Sequence, residues 1–489
     1  MRVVVVAAEM VPLAKVGGLA DVVGGLSKTL AKRGHEVCVM LPAYGSSASA
    51  PGAVPHPMCP SLEIPFGKDR LAVSLRRTRH DGVEVVLVDI PALFADREEI
   101  YAPEPAADAG RFIAFCRAVS AFLSAHSPRG GLVHLHDHHA ALVAPMLVEG
   151  GGWSGPIVLT IHNLAYQGLA PAELFPRTGL PESLFRSMGA CEYFGRINPL
   201  KAGILYSHAV TTVSPTYGAE IVSGEHGFGL EGVVQESRAK ISGILNGIDT
   251  EIWSPAVDPH LDRPYRSRQA VRTILDAKQA NARGVRGELG LTERGAPLVA
   301  FVGRMTSQKG VDLLVDAVPE ILRLGCQVAI LGQGEAGIEE AVRRVSAAHP
   351  GEVACRIGFE EALAHRLIAG ASFLAVPSRF EPCGVTSIYA QAYGTIPIAR
   401  RTGGLIDIVK DIDEHPADGT GLLFGPPTGE ALGDAVRRAV SLCADRKRHG
   451  TVLRRAMLRD FSWDRLGDGY ERLFLSLMSN QAKRAEVGK

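Results

Sequence analysis

No charge of one sign dominates this chain: lysine plus arginine and aspartate plus glutamate each number 52 among 489 residues. A balanced surface raises no net field to gather nucleic acid or anionic lipid. Long apolar runs are missing too, and none approaches the roughly 18 uninterrupted residues of a membrane span. The opening M-R-V-V-V-V-A-A-E-M is too short for a signal peptide and is interrupted at Glu9. The expected address is the cytoplasm. The eight cysteines form no C-x-x-C pair, which fits free thiols in a reducing compartment better than a zinc site or a disulfide framework. What is present is ordinary for a soluble protein, 46% apolar and 21% charged. The length exceeds what one hydrophobic core supports, so two or three domains are expected.

The apolar run at residues 3–8 shows no alternation, as expected of a strand covered on both faces. It leads into Lys15-Val16-Gly17-Gly18-Leu19, an amphipathic helix to about Lys32, and a strand over 36–41. This βαβ unit lacks the G-x-G-x-x-G spacing of dinucleotide-binding proteins. Further strands are predicted at 85–90, 132–135, 157–161 and 209–213, with a helix over about 111–125. Residues 44–62, rich in Pro, Ser, Ala and Gly, read as a long surface loop. The stretch Ile241 to Asp249 marks the crossing into a second half, where strands at 298–302 and 327–331 each open onto a glycine turn and a helix. Such alternation argues for two parallel sheets. The tail from about Trp463 is helical by pattern, and residues 482–489 are polar and expected to fray.

One internal comparison stands out. Gly17-Gly18-Leu19-Ala20-Asp21-Val22-Val23 returns as Gly403-Gly404-Leu405-Ile406-Asp407-Ile408-Val409, once in each half. The second copy closes the stretch from Pro377, in which a strand over 373–376 ends in a loop with Arg379, Glu381 and Gly384. A helix over about 385–393, a strand at 396–399 and the turn at Gly403-Gly404 follow. Loops at the carboxyl ends of parallel strands face the ligand crevice. Helix N-termini opened by glycine there favour an anion, most often phosphate.

Taken whole, residues 377–409 closely resemble the carboxyl-terminal signature of bacterial glycogen synthases and plant starch synthases, retaining glycosyltransferases of the GT-B fold. At least six motifs match in order along essentially the full length. The resemblance implies an α/β protein of two Rossmann-like domains facing each other across a deep cleft. The expected division is 1–244, the acceptor-side starch synthase catalytic domain, completed by a C-terminal helix at about 463–489 that crosses back, with 245–462 as the nucleotide-sugar domain. The implied activity is glycogen synthesis, with glucose moving from ADP-glucose to the non-reducing end of an α-1,4-glucan. The partners are that donor and a glycogen or malto-oligosaccharide acceptor, with no nucleic acid, membrane or cofactor.

Site residues follow the same resemblance. Glu381 matches the glutamate facing the donor glucose, and Thr402, Gly403, Gly404 and Leu405 the turn at the diphosphate. The motif G-R-x-x-x-Q-K-G supplies Arg304 and Lys309 for the phosphates, a planar fork and a mobile point charge. Lys15, with Gly17 and Gly18, plays a similar part in the first domain. His162, in I-H-N-L-A-Y-Q-G, resembles the active-site histidine, Asp137 the cleft aspartate and Asn246 a donor-sugar contact. Phe359 stands where an aromatic stacks on adenine, though core packing fits it equally well. The run His134-Leu135-His136-Asp137-His138-His139 invites a metal, yet neighbours on a strand point to opposite faces and do not converge. No metal site is expected. Tyr389 occupies the place where related sugar transferases carry a second glutamate. Three rivals remain: a UDP-glucose-using synthase of the same fold, an inactive glucan-binding relative, and a phosphorylase, which needs a lysine-bound pyridoxal and a much longer chain.

Overall fold

The computed structural model describes residues 1–45, 50–94, 99–102, 104–126 and 131–487. The chain divides into two compact units, Met1–Gly247 with Trp463–Lys489 and Ile248–Ser462. Asn246 thus belongs to the first unit.

The first unit is built on a ten-stranded sheet. Its strands in chain order are β1 (Arg2–Val6), β2 (Glu36–Pro42), β3 (Val54–Pro55), β4 (Ser61–Phe66), β5 (Asp69–His80), β6 (Val83–Asp89), β7 (Leu132–His136) and β8 (Ile157–Ile161). A separate hairpin, β9 (Glu192–Tyr193) and β10 (Arg196–Ile197), precedes β11 (Ala209–Thr212) and β12 (Ile241–Gly243). The sheet order is β12-β11-β8-β7-β1-β2-β6-β5-β3, with β4 pairing to β5. Seven of these strands, from β12 to β6, run parallel. The edge differs from the expected all-parallel sheet, because β5 pairs antiparallel with β6, β4 and β3. The loop predicted at 44–62 therefore holds β3 and ends at the first residues of β4, while residues 46–49 lie outside the described residues. Central strands are buried along their length, β7 and β8 completely, as their β-rich sequences require.

The helix Trp463–Val487 completes this unit. It is helical to Val487, with residues 488–489 outside the described residues. Arg33 meets Glu471 at 2.5 Å and Asp468 at 2.7 Å, and His35 meets Glu471 at 2.6 Å. Tyr470 and Phe474 pack their rings against His134, with centroids 5.5 and 5.2 Å away. The indole of Trp463 lies over Gly25 and Gly247 so closely that a Cβ at either would collide with it.

The second unit holds a six-stranded, wholly parallel sheet. Its strands are β13 (Leu298–Val302), β14 (Gln327–Gly332), β15 (Val353–Ile357), β16 (Phe373–Val376), β17 (Ile396–Arg400) and β18 (Leu422–Phe424). The order β15-β14-β13-β16-β17-β18 is the doubly wound order 3-2-1-4-5-6 within the unit. It reverses between β13 and β16, and in open parallel sheets ligands bind at such a switch point, beyond the strands' carboxyl ends. Tyr389, at the position of the second glutamate, lies flat on Trp253 at 3.6 Å, with His365 on the indole's other partner face at 3.8 Å. A carboxylate would forfeit that stacking. Asp258 accepts from Tyr393 and pairs with His365 at 2.7 Å behind it, and the buried Lys278 donates to Ala369 O, Tyr393 O and Thr395 Oγ1.

Replacing Gly25 by alanine should destabilise the docking of the last helix, because overpacking a filled site typically costs about 1–3 kcal/mol. A lowered urea midpoint with unchanged slope, followed by tryptophan fluorescence, is the expected result. An unchanged midpoint would show that the helix shifts at no cost.

Candidate active site

In the second unit the loops leaving β13 and β16 are zipped together at the switch point. Arg379 donates to Asp312 with both terminal guanidinium nitrogens, at 2.8 and 2.6 Å, and to Ser307 O at 2.7 Å. That pairing holds the Asp312 carboxyl below its ordinary range. The Arg379 amide donates to Gln308 O at 2.8 Å, and Gln308 Nε2 to Phe380 O at 3.3 Å. Gly310 fits against the Pro377 carbonyl, where a Cβ would clash. The zipper brings Lys309 Nζ to 2.6 Å from Glu381 Oε2, which also accepts from Ser378 Oγ at 2.8 Å. Glu381 is buried and Lys309 partly exposed. Arg304 is exposed on the same β13 loop.

The turn after β17 abuts the same loop. Gly403 adopts φ 46°, a left-handed backbone that suits glycine, and the Gly404 amide donates to Glu381 O at 2.9 Å. A Cβ at Gly404 would strike the Cys383 backbone. Leu405 is fully buried, and Thr402 is buried with its Oγ1 lacking a partner among the described residues. Phe359 is 67% exposed, so it does not pack in the core.

In the first unit the switch lies between β1 and β7, the strands flanking the reversal. After β1, Glu9 turns its buried carboxylate onto the glycine loop, accepting from the amides of Val16 at 2.7 Å and Gly17 at 2.9 Å, and from Tyr101 Oη. Two amides that the sequence pattern offered to a phosphate are thus held by the protein's own anion. Lys15 reaches Asp21 at 3.0 Å. Unlike Gly404, Gly17 and Gly18 have open space around them, with nothing within 4 Å of an added Cβ.

After β7, Asp137 takes φ 54° and accepts from the His162 amide at 2.7 Å. A non-glycine residue in this region costs on the order of 1–3 kcal/mol and persists where the surroundings hold it. Burial pushes its carboxyl up to about 7. The neighbouring rings scatter: His134 Nε2 lies 2.6 Å from Thr160 Oγ1, His136 Nδ1 2.9 Å from His162 Nε2, and His138 Nδ1 3.1 Å from Tyr166 O. Among the described residues no three His, Cys, Asp or Glu side chains group as metal ligands. Burial lowers His134 and His162 to about 3, and His136 and His139 well below the usual imidazole value. Asn246 is buried with its Oδ1 unpartnered among the described residues.

The sequence-predicted residues, Asn246 and Phe359 apart, therefore fall into three sets. Arg304, Lys309, Glu381 and the 402–405 turn lie on the loops leaving β13, β16 and β17 in the second unit. Lys15, Gly17 and Gly18 share one loop of the first unit, and Asp137 and His162 are bonded to each other there. The sequence reading passed over Glu9 and Tyr101, and met His136 only in the histidine run beside Asp137. A lone acidic residue ending the β1 run was the signal available for Glu9.

Two doubly wound units with glycine-opened loops at their switch points fit the GT-B class of glycosyltransferases. Residues 2–236 match the family model described as starch synthase catalytic domain, and residues 296–441 match glycosyl transferases group 1. The chain belongs to the glycogen synthase family. It is 40% identical to glycogen synthase 2 of Geobacter metallireducens, over 98% of this chain and 100% of that one. It is 41% identical to the glycogen synthase of Acidiphilium cryptum, with the same coverage of each. The catalytic domain of starch synthase IV from Arabidopsis thaliana, bound to ADP and acarbose, superimposes with a TM-score of 0.89 at 33% identity, covering 98% of this chain and 99% of that one. No helix among the described residues is long and apolar enough to cross a membrane.

The buried imidazoles carry a pH consequence. His134, His136 and His139 are neutral when folded but take up protons near pH 6.5 when unfolded. Stability should fall as pH drops below 6.5, by about 1.4 kcal/mol per histidine per pH unit. Asp137, whose carboxyl protonates more readily in the folded state, offsets one of these protons between about pH 7 and 4. Melting curves from pH 7.5 to 5.0 should show this decline, and His134→Gln should flatten it. A flat wild-type profile would mean that the rings charge without unfolding.

Proposed function

We propose that the chain transfers glucose from ADP-glucose to the non-reducing end of an α-1,4-glucan with retention, in glycogen biosynthesis in the cytoplasm. The relatives named above act as glycogen synthases, and the starch synthase relative binds ADP and acarbose. The observation that carries the reading is the Lys309–Glu381 pair, a cation and a carboxylate held 2.6 Å apart at a switch point. Departure of the nucleotide leaves negative charge on the diphosphate and positive character on the sugar. Lys309, one of whose three N–H groups goes to Glu381, keeps donors for phosphate, and Arg304 adds a planar fork. Glu381 faces the sugar. The Thr402–Leu405 turn and Lys15 complete the phosphate contacts, and Gly17 and Gly18 leave room for close approach.

His162 and Asn246 contact the donor sugar, Asp137 acts electrostatically or positions the acceptor, and Phe359 stacks on adenine. The open acceptor atoms of Asn246 and Thr402 support contact with a polar ligand. Neither nucleic acid nor a membrane takes part, and no cofactor is needed. A metal is not required either. The protein's cations answer the charge on the leaving group, and the carboxylates of Asp411 and Asp413, the one Asp-x-Asp triplet, are taken by Arg438 and Arg448.

ADP-glucose should exceed UDP-glucose in kcat/KM, and the reverse preference would favour the UDP-glucose rival. Arg304→Ala and Lys309→Ala should each lower kcat by roughly a hundredfold or more, as loss of a preorganised donor does. Glu381→Ala should cut kcat far more than it raises the donor KM, since its contact strengthens in the transition state. Activity should survive dialysis against EDTA. Near-normal turnover in all three variants would refute these roles.

A further inference from the structure

We propose that His136 is a positioning residue, donating its Nδ1 proton to His162 Nε2 and so fixing His162 as the tautomer that carries its proton on Nδ1. This deepens the functional reading and rests on His162 meeting the donor sugar. His136 ends β7, is fully buried, and lies 2.9 Å from His162 through the two nitrogens named. A neutral imidazole owns one N–H and one lone pair, so the pair has two arrangements.

If His162 donated through Nε2, the His136 proton would have to sit on its own Nε2. That atom is buried and has no partner among the described residues. An unpaired buried donor is costly, and orphaned N–H groups are rarer in proteins than under-used acceptors. The proton belongs on Nδ1 of His136, where it has an acceptor. His162 Nε2 then accepts, and the proton of that ring is left on Nδ1. The His162 ring is partly exposed, and its Nδ1 bonds no described residue.

The same rule holds one layer along. His134 points Nε2 at Thr160 Oγ1, at 2.6 Å, and leaves a buried Nδ1 without a partner among the described residues. Thr160 Oγ1 lies 2.6 Å from Thr211 Oγ1, so the His134 proton enters a chain of hydroxyls. Each ring sends its N–H into a bond and its lone pair into the interior. His162 meets its ligand as a hydrogen-bond donor, suited to a sugar oxygen, with its only acceptor nitrogen already engaged. It does not act as a base.

The test is a long-range 15N–1H correlation spectrum of histidine-labelled enzyme without substrates. Wild type should show His162 protonated at Nδ1 and bare at Nε2. His136→Asn places an amide N–H near the lost Nδ1 and should keep that pattern, whereas His136→Phe should lose it. With ADP-glucose, His136→Phe should lower kcat/KM by about ten- to a hundredfold, leave the glucan KM unchanged, and be largely rescued by asparagine. Protonation of wild-type His162 at Nε2 overturns the proposal even if the phenylalanine variant fails to fold. The expected tautomer with undiminished turnover in His136→Phe overturns the positioning role. Normal turnover in His162→Ala would instead remove the sugar-contact reading, while the spectrum still decides the tautomer.

Discussion

Arg379 and Asp312 share two hydrogen bonds, at 2.8 and 2.6 Å, and the arrangement of the second unit's switch-point loops hangs on that pair. The loops leaving β13 and β16 start from adjacent strands but are 72 residues apart where Lys309 meets Glu381. Nothing in either loop alone brings an ammonium to a carboxylate. The planar fork of Arg379 fixes both position and angle on the first turn of the helix Val311–Arg323, a geometry a lysine could not reproduce. Once the loops are joined, the carbonyls of Ser378 and Arg379 take the Arg400 guanidinium, and the β17 turn falls into place beside Glu381. The pair is half exposed, so its worth lies in geometry more than in stability.

Much of this was legible in the sequence because parallel strands buried on both faces write themselves as unbroken apolar runs. β1, β8, β13 and β16 could be read directly, and the motifs sit where those runs stop. β5 escaped for the opposite reason. Its twelve residues, D-R-L-A-V-S-L-R-R-T-R-H, bury Val73, Leu75 and Thr78 between more exposed neighbours in the antiparallel part of the sheet, so no run appears. The two G-G-L-x-D copies looked alike yet answer different needs. Gly403 is required by its backbone and Gly404 by the Cys383 backbone, whereas Gly17 and Gly18 border empty space. Only three-dimensional neighbours separate those cases. Glu9 was hidden similarly, since its partners are backbone amides, which carry no side-chain signature.

The two units meet their polar demands by different means. The second places full charges at its switch point, where solvent and backbone share the load. The first packs neutral rings into its sheet: His134 and His136 project on one face of β7, two residues apart, and burial keeps them uncharged. Neutral rings can lie among Tyr470 and Phe474 at little desolvation cost, which a charged side chain could not. The result is a rigid, directional hydrogen-bond row behind a strained Asp137.

The helix Trp463–Val487 belongs to the first unit, although the whole of the second unit lies between it and Gly247 in the chain. A ribosome releases the sequence in one direction, so the surface that receives Trp463, Tyr470 and Phe474 is made early and filled last. The second unit draws all its strands from one continuous segment and can close as soon as that segment emerges. The first unit is thus begun before the second and finished after it.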